Sequence, residues 1–129
     1  MFALNYNDHG IRLRGRSVGN HVVNNIAEYN SGRGIRVDSG SDDNKVINNF
    51  AEYNESKGIR IQGDNNNIVG NEANNNNQEN FQITGNNNRL INNTANGGGS
   101  EIEEIECFLI EGVENKLINN YTSCLNQAD

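Results

Sequence analysis

The chain has 129 residues, the size of one domain, with a formal net charge of −7 and neither proline nor tryptophan. Leu, Ile, Val and Phe make up 30 of the 129 residues, close to the level at which a polar, charged chain is usually disordered. The acidic balance argues against a nucleic-acid partner, because duplex binding depends on Lys and Arg that neutralise phosphates.

The first ten residues lack the basic and apolar segments of a signal peptide, and no apolar run is long enough to cross a bilayer. We therefore expect a soluble chain with no signal peptide, no transmembrane segment and no membrane partner. The sequence does not indicate a compartment.

A repeat of about two dozen residues overrules the compositional expectation of disorder. Short strand-like segments read GIRL, GIRV, GIRI, NFQI and CFLI, and their apolar residues alternate with polar ones, as in a strand with one buried face. The steps between their first residues are 24, 24, 22 and 27, at Gly10, Gly34, Gly58, Asn80 and Cys107.

An asparagine-rich phrase follows each of these segments after a turn, for example NKVINNFAEYN at residues 44–54. Each phrase contains an inward aliphatic residue, then an inward asparagine three residues later, then a small residue two further on. The aliphatic column is Val22, Val46, Ile68, Leu90 and Leu117; the asparagine column is Asn25, Asn49, Asn71, Asn93 and Asn120; the small column is Ala27, Ala51, Ala73, Ala95 and Thr122.

The aliphatic residue and the asparagine both point inward although they are three residues apart, an odd step that a single alternating strand does not allow. One residue between them must therefore turn the backbone. Only asparagine and glycine, which accept a left-handed backbone at low cost, stand at that corner. The corner residues are Asn24, Asn48, Gly70, Asn92 and Asn119.

The inward asparagines predict a ladder, because each stacked amide can donate to one neighbour and accept from the other. A further column at the start of the same strand is either a second ladder or a set of turn-forming residues. It contains Asn20, Asn44, Asn66, Asn88 and Asn115.

Two solenoid folds have repeats of this length. A leucine-rich repeat needs a leucine where Asn20 and its equivalents stand, and a helical return segment, for which EYNSGRG and NNNNQEN are too short and polar. A parallel β-helix needs only strands and turns, with coils about 4.8 Å apart. The sequence therefore predicts an all-β fold, a single-stranded parallel β-helix of about five coils with an inward asparagine ladder, forming one domain over residues 1–129.

These features, above all GIRV, NKVINN and their equivalents, resemble the right-handed parallel β-helix repeat family over residues 2–129. This family comprises the pectate-lyase-like solenoids of polysaccharide lyases, uronan epimerases and copper-enzyme maturation proteins. The resemblance implies a right-handed solenoid, and it leaves the activity open because this fold hosts many functions.

Neither end of the repeat has an obvious amphipathic cap. We therefore expect the chain to form a homo-oligomer, end to end or side by side, or to be a fragment of or subunit in a longer solenoid. A column that should face outward as an apolar stripe supports self-association. It contains Val23, Ile47, Val69, Ile91 and Ile118. The alternatives are that the inward and outward assignment is reversed, or that a turn covers the stripe.

Arginines gather on the outer face of the first strand, where Arg12, Arg36 and Arg60 recur one coil apart. Neighbouring guanidinium groups roughly 5 Å apart repel by about 1 kcal/mol in water, so an anionic ligand such as a uronate, sulfate or phosphate would relieve them. The predicted ligand-binding residues are Arg12, Arg14, Arg36, Asp38 and Arg60. The alternative is a solvated face in which Arg14, Arg36 and Asp38 pair with neighbours at little gain.

In the enzymes that the chain resembles, the substrate groove lies along this face and uses acidic calcium ligands with an arginine or lysine base. Only Asp38 is placed in that way, and one carboxylate is a poor calcium site. We expect no cofactor and no metal site, with calcium as the alternative, and assign no catalytic residue. Tyr6, Asp8 and His9 are either an acid/base group or turn residues, and the acids of residues 41–44 lie in a turn.

The turn before the fifth coil is lengthened to GGGSEIEEIE. Three interpretations of this segment stay open: its acids bind a cation, the whole segment folds over the groove, or the acids are solvated. The acids are Glu101, Glu103, Glu104 and Glu106. Cys107 and Cys124, the two cysteines, are either bridged or free.

Three functions are compatible with these observations. The preferred one is a non-catalytic β-helix module that binds an acidic carbohydrate along the first-strand face and associates with itself. The second is a minimal polysaccharide lyase or uronan epimerase. The third is a purely structural assembly protein.

Overall fold

The computed structural model describes residues 2–4, 8–97 and 107–124, and within these ranges it contains strands and turns but no helix. Each strand pairs in parallel with the equivalent strand of the next coil. The chain is therefore an all-β parallel solenoid, as predicted. It makes about four turns rather than five, counted on the first and second sheets, whose five strands are separated by four steps.

Three sheets form the sides of the solenoid, with strands numbered in chain order. The third sheet contains β1 (Phe2–Leu4), β4 (Ile26–Glu28), β7 (Phe50–Glu52), β10 (Glu72–Asn74), β13 (Thr94–Asn96) and β16 (Tyr121–Ser123). The first sheet contains β2 (His9–Leu13), β5 (Arg33–Val37), β8 (Ile59–Ile61), β11 (Phe81–Ile83) and β14 (Phe108–Ile110). The second sheet contains β3 (His21–Val23), β6 (Lys45–Ile47), β9 (Asn67–Val69), β12 (Arg89–Ile91) and β15 (Lys116–Ile118).

The predicted inward columns form the core. Register places like on like, so that Ile35 pairs with Ile59 in the first sheet and Ala51 with Ala73 in the third. These side chains are fully buried. Leu117, in the last described coil, is 48% exposed because no described coil covers it.

The inward asparagine ladder is confirmed. Successive side chains are joined from Nδ2 to Oδ1 at 3.1, 3.0, 3.0 and 3.0 Å through Asn25, Asn49, Asn71, Asn93 and Asn120. The second Nδ2 hydrogen of Asn71 is donated to the carbonyl of Val46 at 2.7 Å, and its Oδ1 also accepts the backbone N–H of Asn49 at 2.9 Å. The interior amides thus use all their hydrogen-bonding capacity, which burial requires.

The column that begins with Asn20 forms a ladder that runs through the backbone beyond its first pair, Asn20 and Asn44, whose side chains are joined at 3.2 Å. Its Oδ1 atoms accept backbone N–H groups of the preceding coil at 2.8 Å, as from Asn44 to Asn66 and from Asn66 to Asn88. The Nδ2 groups donate to carbonyls of the preceding turn, including that of Gly63. These side chains therefore fix turns and coils together.

A third ladder was not predicted. Asn30 donates to Asn54 at 3.0 Å and Asn54 to Asn76 at 2.9 Å. Asn80 continues this ladder, because its Oδ1 accepts from Nδ2 of Asn76 at 2.8 Å. One repeat after Asn76 the sequence has Gly98, which has no side-chain amide and lies outside the described residues. Asn80 stands in the column that begins with Gly10, Gly34 and Gly58, which have no side chain. In this coil the residue of that column supplies an amide to the ladder.

The end of this third ladder meets the cysteine pair. Cys107 and Cys124 form a disulfide with a Cα–Cα distance of 5.9 Å, which answers the question that the sequence left open. The Nδ2 of Asn80 donates to the carbonyl of Gly97 at 2.7 Å and lies 3.7 Å from the sulfur of Cys107. The disulfide thus joins the first and third sheets in the last described coil.

The predicted corner is confirmed, with φ from 52° to 65° at Asn24, Asn48, Gly70, Asn92 and Asn119. A second corner, after the third-sheet strands, places Tyr29 and Tyr53 at φ 54°. A bulky residue in this conformation costs about 1–2 kcal/mol. Stacking of the two rings recovers about 0.5–1.5 kcal/mol for the pair, so the strain exceeds the gain.

The apolar stripe lies outside the second sheet, so the inward and outward assignment was right. Val22 is buried while Val23, the next residue, is 37% exposed. The other members, Ile47, Val69, Ile91 and Ile118, are half-buried.

Candidate functional site

The arginine column lies on the outer face of the first sheet, as predicted. Register pairs Arg12 with Arg36 and Arg36 with Arg60, and Gln82 and Leu109 continue the column. Strand alternation produces this arrangement, because the flanking Ile and Leu residues point into the core. Three guanidinium groups are therefore carried on adjacent strands of a rigid sheet.

Asp38 joins two of these arginines. Its Oδ2 accepts from Nε and Nη2 of Arg12 at 2.9 and 2.7 Å, and its Oδ1 contacts Nε of Arg36. Burial raises the pKa of Asp38, but the hydrogen bond from Arg12 and the charges of Arg36 and Arg12 outweigh burial and hold that pKa below its ordinary value. Asp38 is therefore an ionised carboxylate that joins the first two coils through Arg12 and Arg36.

Arg60 is not held in this way. It has neither an ion pair nor a hydrogen bond to any described side chain, and its Nε is buried without a partner. Burial, then the charge of Arg36, lowers the pKa of Arg60. The Oε1 of Gln82, one coil further on, is also buried and unpartnered. The middle of the face therefore contains a buried donor and a buried acceptor that have no partner among the described residues.

His9 lies at the edge of the column, with 4% of its side chain exposed. Its Nδ1 accepts the backbone N–H of Arg33 at 3.2 Å, and its Nε2 lies 3.2 Å from Oδ2 of Asp8 and 3.0 Å from Nη1 of Arg36. Burial lowers the pKa of His9; Asp8 opposes this, and the neighbouring arginines, Arg36 first, add to it. The imidazole is therefore neutral at pH 7.

Arg14 is separated from this group. It follows the end of β2, its side chain is exposed, and its backbone carbonyl accepts from the hydroxyl of Ser17 at 2.6 Å. The structure shows no side-chain partner for it in the described part of the chain. Of the five predicted ligand-binding residues, the structure brings together Arg12, Arg36, Asp38 and Arg60.

Two neighbouring residues were not identified from the sequence. Arg33 pairs in register with His9, and burial and the charges of Arg60 and Arg36 lower its pKa. Gln62 accepts from Nη2 of Arg36 at 3.3 Å. The repeat spacing could have placed Arg33 beside His9, because Arg33 follows His9 by one 24-residue repeat.

The remaining predicted acids do not form a site in the described residues. Asp42 accepts the backbone N–H of Asp64 at 2.8 Å, so its role is to hold the next turn. No three His, Cys, Asp or Glu side chains are grouped to hold a metal ion within 8–97 and 107–124. Tyr6 and the glutamates at 101, 103, 104 and 106 lie outside the described ranges.

The same part of the chain contains no helix that is long and apolar enough to span a membrane. The site gathers four arginines, Arg12, Arg33, Arg36 and Arg60, on and beside one sheet. Besides Asp8 and Asp38, the carboxylates of Glu79 and Glu111 act on this group through Arg60.

The fold defines the chain as a parallel β-helix protein, which confirms the expected resemblance at the level of fold. Among solved structures, the chain is similar to a double mutant of the periplasmic alginate epimerase AlgG, with a TM-score of 0.70 and 18% identity. The similarity covers 87% of this chain and 36% of that one, so the chain spans about a third of its length. No family model and no curated protein matches the chain.

Proposed function

We propose that the protein is a non-catalytic β-helix module that binds an anionic polysaccharide along the outer face of the first sheet. The observation that carries this proposal is the column of Arg12, Arg36 and Arg60, in register on adjacent strands. Strands of a sheet lie about 4.8 Å apart, so a polymer lying along the solenoid axis meets one guanidinium group per coil. Carboxylates are well matched to that group.

Arg60 is the strongest anchor in this column. Arg12 and Arg36 already share the carboxylate of Asp38, whereas Arg60 has no acidic partner in the described residues. A ligand carboxylate would pair with Arg60 and offset its repulsion with Arg36. The fold similarity to an enzyme named for alginate, an anionic polysaccharide, supports the same ligand class.

Arg60→Gln tests this proposal, because glutamine already stands at the equivalent position of the next coil as Gln82. Calorimetry with alginate and polygalacturonate at low salt should show an affinity loss of roughly tenfold to a hundredfold, as for a lost charged hydrogen bond. Arg89→Gln, at an exposed arginine of the second sheet, removes the same charge elsewhere and should bind normally. Equal loss in both variants, or no binding by the native protein, would contradict the proposal.

A minimal polysaccharide lyase or uronan epimerase is the alternative. The observation that favours it is His9, a titratable side chain beside Arg36 at the edge of the arginine column. Incubation of the same polymers with the native protein, with and without calcium, decides between the two. Unsaturated product or exchange at the sugar carbon would establish catalysis, and His9→Gln would abolish it.

Self-association through the apolar stripe of the second sheet is the second part of the proposal. The stripe lies on the outside, and no described segment covers it. Light scattering across protein concentration checks it, with Ile47→Thr expected to shift the mass towards the monomer. A large particle that binds no polysaccharide would favour the third function, a purely structural assembly.

A further inference from the structure

Two tyrosines form an exposed pair on the corner between the third and first sheets. Tyr29 and Tyr53 follow β4 and β7 in successive coils, and their rings stack with centroids 5.1 Å apart and planes inclined by 16°. Their side chains are 55% and 45% exposed. The pair therefore presents to solvent the ring surfaces that the two tyrosines do not turn towards each other.

The backbone at this corner disfavours tyrosine. Both residues have φ 54°, and the same corner in the next two coils carries Asn75 at φ 52° and Gly97 at φ 59°. Asparagine and glycine adopt this conformation readily, whereas a bulky side chain does not. Because the rings are exposed, core packing does not explain their presence, and strained exposed residues of this kind point to a functional surface.

The charge around the pair is opposite to that of the arginine column. Glu28 and Glu52 precede the two tyrosines and face each other in register. Burial, then the charges of Glu28 and Glu72, raises the pKa of Glu52, against the hydrogen bond that it accepts from Asn75 at 3.3 Å. No lysine or arginine among the described residues forms an ion pair with Glu28 or Glu52.

We propose that Tyr29 and Tyr53 form a second binding site, a stacking platform for the pyranose rings of a neutral glycan. A pyranose has an apolar C–H face that packs on an aromatic ring and a hydroxyl edge that needs hydrogen-bond partners. Tyr29 and Tyr53 offer the first, and the carboxylates of Glu28 and Glu52 offer acceptors for the second. The same carboxylates repel uronates, so this site selects neutral sugars.

This inference goes beyond the proposed function, because it concerns another side of the solenoid and a ligand of different charge. Together the two sites would allow one module to contact an acidic polymer with the first sheet and a neutral glycan with the tyrosine corner. Each site is altered by its own variants, so each can fail independently.

The test uses the Tyr29→Asn/Tyr53→Asn double variant, since asparagine already occupies this corner as Asn75. Relief of strain should raise the melting temperature by about 5 °C. Affinity for cellohexaose, mannohexaose or xylohexaose should fall at least about tenfold in saturation-transfer NMR, which observes the sugar and so reads the variant and the native protein alike. Tyr121→Thr, which introduces the residue type of the strand partner Thr94, should change neither property.

Three results would overturn the proposal. A double variant that melts below the native protein would assign the pair a structural role. Failure of all three hexasaccharides to perturb the native tyrosine signals would exclude the site, and equal perturbation by oligouronates would exclude its selectivity. Arg60→Gln should leave hexasaccharide binding unchanged, which separates this outcome from failure at the arginine column.

Discussion

Asparagine performs two different tasks in this protein, decided by which way its side chain points. At the corners, Asn48 and its equivalents adopt a left-handed backbone. Inside the solenoid, Asn71 uses its amide to satisfy the polar groups of the coils before and after it. One residue type serves both because its side chain is short, flat and able to donate and accept at once.

The interior amides predict a large effect of a single substitution. Asn71→Ala removes the acceptor that the backbone N–H and the Nδ2 of Asn49 share, together with the side-chain donor to the carbonyl of Val46. The free energy of unfolding should fall by at least about 3 kcal/mol, measured by urea titration. Asn77→Ala, at an exposed asparagine, should change it by no more than about 0.5 kcal/mol.

If these two alanine variants were equally stable, the ladder would not stabilise the fold. An unchanged dependence on urea concentration is expected for both, because neither alters the surface exposed on unfolding.

Most strands of this protein are three residues long, so no strand is stable by itself. Each one is held by parallel partners in the neighbouring coils and by the asparagines at its ends, as β6 is held by Asn44 and Asn49. The edge of the first sheet shows how side chains add to these pairings. His9, from β2, accepts a backbone hydrogen bond from β5 and contacts Arg36.

The contact between β2 and β5 predicts a pH dependence of stability. The pKa of His9 is lowered from its ordinary value of 6.5, by burial first. The unfolded chain therefore takes up this proton first as pH falls, so the contribution of His9 is complete above about pH 6.5 and is lost as pH falls through the folded-state pKa. Thermal unfolding between about pH 7.5 and 5 should show this loss.

His9→Gln keeps an acceptor for the Arg33 N–H and has no titrating group, so it should flatten the loss over that pH range. His21→Gln, at an exposed histidine of β3, is the control and should retain it. A native protein whose stability rises on acidification through this range would contradict the assignment.

At the scale of the whole molecule, contacts run mainly between one coil and the next. A solenoid of this kind has a stability that is roughly the sum of its coils and their interfaces. Coverage decides burial, since Leu90 is fully buried while Leu117, in the last described coil, is half exposed. The disulfide and Asn80 strengthen that same coil.

The modular architecture predicts that one coil can be removed. Deletion of residues 44–65 joins Asp43 to Asn66, which takes the place of Asn44, and keeps the ladders continuous. The variant should keep the β-sheet circular dichroism spectrum and lose roughly a quarter of its stability, one turn in about four. Deletion of residues 44–54, half a coil, should abolish cooperative unfolding because it breaks every register.

Should the half-coil deletion unfold as cooperatively as the full-coil deletion, the registers would not be coupled in the way described. The full-coil deletion also removes Arg60 and should weaken binding to anionic polysaccharide in parallel with Arg60→Gln.

The sequence by itself determined the solenoid, the inward columns, the corner residues and the stacking of Arg12, Arg36 and Arg60. The physical reason is that a coil pairs with its neighbours at equivalent positions, so the spacing of the repeat is already the contact pattern. Whether Asn20 and its equivalents form a ladder was decided by hydrogen bonds that the spacing alone does not reveal.

Only the tertiary structure decided which side chains of different columns contact each other. Asp38 joins Arg12 to Arg36 while Arg60 forms no ion pair with a described residue, and Asn80 extends the ladder beyond Asn76. The stacking of Tyr29 on Tyr53 belongs to the same group. These contacts depend on side-chain reach across a turn, on the lengthened repeat and on local burial, none of which follows from the repeat spacing.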